Sequence, residues 1–138
     1  MFNKNPSKEY LDNIRFYKKM HREGCNLIDG RKRNYNETYD GKSTTNYALI
    51  IKEIILKNNI STMLDYGCGK GLYYKKSFTV NKQQITSLKD FWNISIDLYD
   101  PCYEKYSALN ENKFYDLTIC MDVLEHIPSH DIDWVLYN

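Results

Sequence analysis

The chain has no Cys-x-x-Cys pair, no long apolar run and almost no net charge. Each absence excludes something. The four cysteines, Cys25, Cys68, Cys102 and Cys120, stand far apart, which argues against a disulfide framework and against a zinc site. The longest apolar stretch, 47–56, is broken by Lys52 and Glu53, so no membrane span is expected. The first residues, Met1 to Pro6, lack the apolar core of a signal peptide, and a reducing, cytoplasmic setting is the expectation. A net charge of +1 over 138 residues argues against a dedicated nucleic-acid or membrane-surface binder, while leaving room for a local basic patch. There is no internal repeat and no low-complexity segment.

What the sequence does have is a glycine turn. A short apolar run, 60–64, reads as a buried strand and leads into Asp65-Tyr66-Gly67-Cys68-Gly69-Lys70-Gly71. Alternate glycines allow positive φ and let a ligand approach the main chain. A helix starting just after would aim free N–H groups at that ligand. A nicotinamide fingerprint would need glycine or alanine at position 72, which is Leu72, and the Gly-Lys-Ser/Thr closure of a phosphate-binding loop is missing.

Around this turn the spacing predicts a helix over 6–22, capped by Asn5 with Pro6 at its first position and stopped at Gly24. Residues 24–43 read as irregular, with Arg31-Lys32-Arg33 as a solvated basic loop. Thr44 or Thr45 caps the next helix, whose apolar stripe is Tyr47, Ile50, Ile51, Ile54 and Ile55. A helix is expected from Leu72 to about Ser77, then a polar loop over 79–86, then a short helix capped by Thr86 and running to Trp92. Residues 94–99 and 114–121 read as further strands. Val123 to Ile127 turns away from the last of these, and Ser129 caps a final helix with Trp134, Val135 and Leu136 facing a core. Strands separated by helical segments predict an α/β fold with a parallel sheet. Two regions are expected: residues 1–43, an N-terminal helix and lid-like segment, and residues 44–138, the ligand-binding core. Ligands of such sheets bind past the carboxyl ends of the strands, where Asp65, Asp100 and Asp122 fall.

The run Leu64-Asp65-Tyr66-Gly67-Cys68-Gly69-Lys70-Gly71, the acid in Tyr99-Asp100-Pro101, and Asp122-Val123-Leu124-Glu125-His126-Ile127-Pro128 together resemble the class I S-adenosylmethionine-dependent methyltransferases. With Tyr39-Asp40-Gly41-Lys42-Ser43 upstream, the set is most similar to short methyltransferase-like proteins encoded by phages, over about residues 36–138. The resemblance implies a Rossmann-like parallel sheet with flanking helices, of which three to four strands are present. It implies S-adenosylmethionine as cofactor, with Gly67, Gly69 and Gly71 against its methionine portion. Asp65 then holds the ammonium through water, Asp100 accepts the ribose hydroxyls, and Asp122 and Val123 line the methyl end.

The chain departs from that family in three ways. An insertion fills 77–90; the third family strand and its adenine-reading side chain are shortened or absent, with Asn110 or Asn112 as stand-ins; and the chain ends after the fourth family strand. That truncation predicts an exposed sheet edge beside 114–121, covered by a second copy or a partner chain. Transfer from a sulfonium needs chiefly alignment. Where the acceptor carries a proton that must leave, His126 is the candidate base beside Asp122, with ordering of the turn as its competing role. No metal site is expected, because Pro128 keeps His126 and His130 off a shared helical face. The Asn/Asp-Pro-Pro-aromatic tetrad of DNA amino-methyltransferases is not present at position 122. Two functions follow as expectations: methyl transfer to an unidentified acceptor, or a truncated, non-catalytic S-adenosylmethionine-binding or assembly module.

Overall fold

The structure, a computed structural model, describes residues 5–137. In chain order its elements are α1 (Lys8–Glu23), β1 (Cys25–Asn26), β2 (Lys32–Arg33), α2 (Lys42–Thr45), α3 (Ala48–Asn58), β3 (Thr62–Tyr66), β4 (Phe78–Val80), β5 (Gln83–Ile85), α4 (Leu88–Trp92), β6 (Ser95–Tyr99), β7 (Leu117–Ile119) and α5 (Ile132–Tyr137). They form two compact units, one from the segments up to Thr38 and from Asp122 onward, the other from Tyr39–Met121. The sequence-based division falls once, at residue 43; the compact units part after Thr38 and again after Met121. Among the described residues no helix is long and apolar enough to cross a membrane.

In the first unit, α1 is capped by Ser7 rather than Asn5, because the Ser7 hydroxyl accepts the Tyr10 amide; Gly24, at φ 79°, ends the helix. Residues 24–43 are not wholly irregular, since β1 and β2 pair antiparallel. Ser7 also reaches the other end of the unit: its amide and hydroxyl donate to the Asp131 carboxylate at 2.8 and 2.5 Å. The ring of Tyr10 meets Trp134 edge-on at 5.5 Å. Ser129 opens a short 3-10 turn before α5, and Leu136 is exposed rather than core-facing.

The second unit is mixed α/β. Its sheet has the order β6-β3-β7, all parallel, with Met63 opposite both Ile96 and Leu117. The core gathers Ala48, Ile51 and Ile55 from α3, Met63 from β3, Leu88 and Trp92 from α4, and Ile119 from β7. The Trp92 indole N–H donates to the Ala48 carbonyl at 3.0 Å, so the largest core side chain is also polar-satisfied. Only part of the expected α3 stripe turns inward. Tyr47, Ile50 and Ile54 are exposed, because the buried face is the narrow line Ala48, Ile51, Ile55. Thr44 and Thr45 lie inside α2 and cap nothing.

The helix expected after Gly71 is a three-residue 3-10 turn, 72–74. The polar stretch that follows is an antiparallel hairpin, β4–β5, not a loop. Asn81 and Lys82 take positive φ at its tip, as two-residue hairpins require, and Phe78 and Ile85 bury one residue at each end. Ser87, not Thr86, caps α4: it accepts the Asp90 amide and donates to the Asp90 carboxylate. The last strand is three residues long instead of eight, and Phe114 stays exposed. Its start is pinned by Asp116, whose Oδ2 accepts from the amides and hydroxyls of both Ser61 and Thr62 at 2.7–3.1 Å.

Those four donors hold the Asp116 carboxyl at about 2, below its ordinary 3.8, with the Ser61 hydroxyl the largest cause. The folded chain therefore keeps this group ionised where the unfolded chain takes up a proton. Its contribution is full above about pH 4 and is lost as pH falls toward 2. Urea unfolding midpoints followed from pH 5 to pH 2 should fall less steeply for Asp116→Asn than for the unaltered chain; identical slopes would refute the role.

Candidate functional site

The strand β3 delivers the chain to the glycine turn, and the turn is closed by the chain's own atoms. The Gly67 and Cys68 amides both donate to the Tyr99 carbonyl, at 2.7 and 3.1 Å. The Gly69 amide donates to Asp100 Oδ2 at 2.8 Å. The Lys70 amide donates to the Tyr39 carbonyl, Gly71 to Cys68 and Leu72 to Asp40. Every amide from 67 to 72 thus has a partner, and the free N–H groups expected to face a ligand are already used. Glycine is required at 69 for two reasons. Its φ is 58°, and a Cβ there would lie 2.2 Å from the Tyr39 carbonyl oxygen. The segment 39–41 is therefore a strap lying against the turn, and the glycines make room for this strap.

Asp100, one residue past β6, is 8 % exposed. Its Oδ1 accepts the Cys102 amide at 2.7 Å while Oδ2 takes Gly69. Burial raises its pKa, and the amides of Cys102, Gly69 and Tyr103, with the Lys70 charge, pull it back. A carboxylate has about four acceptor positions, and with three amides on this one about one position is left for a further donor. Asp65 is 1 % exposed, and its Oδ2 accepts the Tyr74 hydroxyl at 2.8 Å. Burial pushes its pKa up to about 7; the Tyr74 bond opposes this and the nearby Asp100 charge adds to it. Lys70 is nearly buried, with its amine 5.6 Å from the centre of the Tyr103 ring. Its pKa is lowered by burial, against the pull of Asp100 and Asp40.

The structure thus brings together Asp65, Gly67, Gly69, Gly71 and Asp100 within the second unit. Asp122, Val123 and His126 belong to the first unit. Asp122 is exposed in the left-handed region at φ 55°. His126 sets its ring edge-on to Tyr17 at 5.7 Å, and its carbonyl accepts from the Asn13 amide side chain at 3.4 Å. Among the described residues no group of His, Cys, Asp or Glu is placed to hold a metal ion. Sequence reasoning missed Tyr74 and the carbonyl of Tyr39. A buried acid needs a donor, which signals that a partner exists but not which residue supplies it. Comparison with protein-family models, with curated proteins and with solved structures finds no match to this chain.

Two variants test the site's construction. Gly69→Ala should destabilise the second unit by roughly 1–2 kcal/mol from the left-handed backbone alone, and by more from the collision with Tyr39, read as a lowered urea midpoint. Because the folded-state pKa of Asp65 is raised, its favourable contribution is full below about pH 4 and is lost as pH climbs through about 7. Asp65→Asn should keep an acceptor for Tyr74, flatten the stability profile between those limits and raise stability at pH 8 by roughly 1–4 kcal/mol. A variant less stable at pH 8 would contradict this.

Proposed function

We propose that the chain is a Rossmann-like S-adenosylmethionine-binding fragment of a class I methyltransferase, and that it directs a methyl group to an acceptor of unidentified class. The observation that carries the reading is the Asp100 carboxylate. It stands past the carboxyl end of one parallel strand, is bonded to the glycine turn at the end of the next, and keeps about one acceptor position for a further donor. That acceptor suits a ribose hydroxyl. Asp65, being almost fully buried, acts on the ligand's ammonium through water. When bound, the cofactor supplies an already activated methyl on a sulfonium. The residues' task is then to hold and align.

The paired amides of the turn and the three-stranded sheet favour a second reading, a non-catalytic S-adenosylmethionine-binding or assembly module. In both readings a second copy or partner chain covers the edge of β7 that pairs with no strand among the described residues.

Calorimetric titration with S-adenosylhomocysteine should give saturable one-to-one binding. Asp100→Asn, with an unchanged circular dichroism spectrum, should weaken it about tenfold or more, the worth of one hydrogen bond to a charged group. No saturable binding by the unaltered chain would end the cofactor reading. Binding without methyl transfer to protein, nucleic-acid or small-molecule acceptors would favour the module.

A further inference from the structure

A cavity of about 320 Å³ lies along the outer edge of β6, within the second unit. That is the lower end of the roughly 300–1,000 Å³ range of small-molecule sites. Neither Asp65 nor Asp100 lines it. Its chemistry comes first from the strand. Among the described residues β6 has β3 as its one ladder partner. The Ser95 amide donates to Ser61, and the Tyr99 carbonyl accepts from Gly67, so the backbone groups of Ser95, Asp97 and Tyr99 face β3. Backbone groups alternate sides along a parallel strand, so those of Ile96 and Leu98 face the other edge, where the cavity is. Each offers one N–H and one C=O.

The side chains supply the rest. Leu64, Ile96, Leu98 and Leu109 make part of the lining apolar, and Tyr106 and Tyr115 add flat aromatic surface. The cavity's carboxylate, Asp97, is already neutralised by the Lys113 amine at 2.7 Å and bonded by the Tyr115 hydroxyl at 2.7 Å. Lys75 and Lys89 also line the cavity, both exposed, and neither forms an ion pair among the described residues. The lining therefore carries surplus positive charge beside a flat apolar slot edged by main-chain donors and acceptors.

We propose that this cavity binds a nucleoside monophosphate, with the base edge on the main chain of Ile96 and Leu98, the ring against Tyr106 or Tyr115, and the phosphate at Lys75 and Lys89. A planar heterocycle presents adjacent donors and acceptors that match an open strand edge, and a phosphate matches two lysines that no acid neutralises. The site is separate from the S-adenosylmethionine reading: that ligand carries no phosphate, and of the residues assigned to it Asn110 alone, one of the two stand-ins for the adenine reader, lines the cavity.

The test titrates the full chain calorimetrically with AMP, GMP, CMP and UMP, with the corresponding nucleosides, and with inorganic phosphate. At least one monophosphate should bind one-to-one, more tightly than its nucleoside and than inorganic phosphate. Replacing both lysines, Lys75→Ala with Lys89→Ala, should weaken that binding about tenfold, as the loss of two exposed charge contacts implies. Both side chains are exposed, and an unchanged circular dichroism spectrum would show that the variant folds. Saturating S-adenosylhomocysteine should leave the affinity unchanged. The proposal is overturned if no monophosphate binds, if phosphate alone binds as tightly, if the double variant binds undiminished, or if S-adenosylhomocysteine competes.

Discussion

A single carboxylate ties the ends of two neighbouring strands together. Asp100, at the end of β6, takes the Gly69 amide from the turn that follows β3, and the Tyr99 carbonyl just before it takes two more amides from the same turn. The strap at 39–41 completes the arrangement from the other side. The cost is electrostatic: two buried acids near one another, each driven toward its neutral form by loss of water, with amides and the Tyr74 hydroxyl as counterweights.

The parts of this arrangement that were legible in the sequence are those with a short-range signature. Alternate glycines after an apolar run mark a strand end, and an acid before Pro101 marks another. Both stand where the spacing put them, on adjacent parallel strands. The strap left no such mark, because carbonyl-to-amide bonds through Tyr39 and Asp40 do not depend on which side chains those residues carry. The β4–β5 hairpin was read as a loop because residues 81–84 are polar throughout and its three apolar residues, Phe78, Val80 and Ile85, are too few to mark two strands. The α3 stripe was drawn too wide for a different reason. Isoleucines recur on two faces of that helix, and periodicity does not say which face the sheet covers.

The turn and the neighbouring cavity share walls. A Cβ at Gly71 would stand 2.9 Å from a methyl of Leu98 and 3.5 Å from the ring of Tyr106, and both residues line the cavity. Tyr74 lines it too while bonding Asp65. The turn and the cavity therefore rest on the same packed side chains.

The chain order of the two units has a consequence during synthesis. All of Tyr39–Met121 is one uninterrupted stretch, so β3, β6 and β7 have all been made once Ile119 has left the ribosome. The opening helix is made first and yet waits longest, because the Asp131 carboxylate that receives Ser7 lies 124 positions downstream. Vectorial translation thus favours an inside-out sequence of assembly: the later-encoded sheet consolidates while the earlier-encoded helix, still lacking its partner, is held in reserve until the final turns emerge.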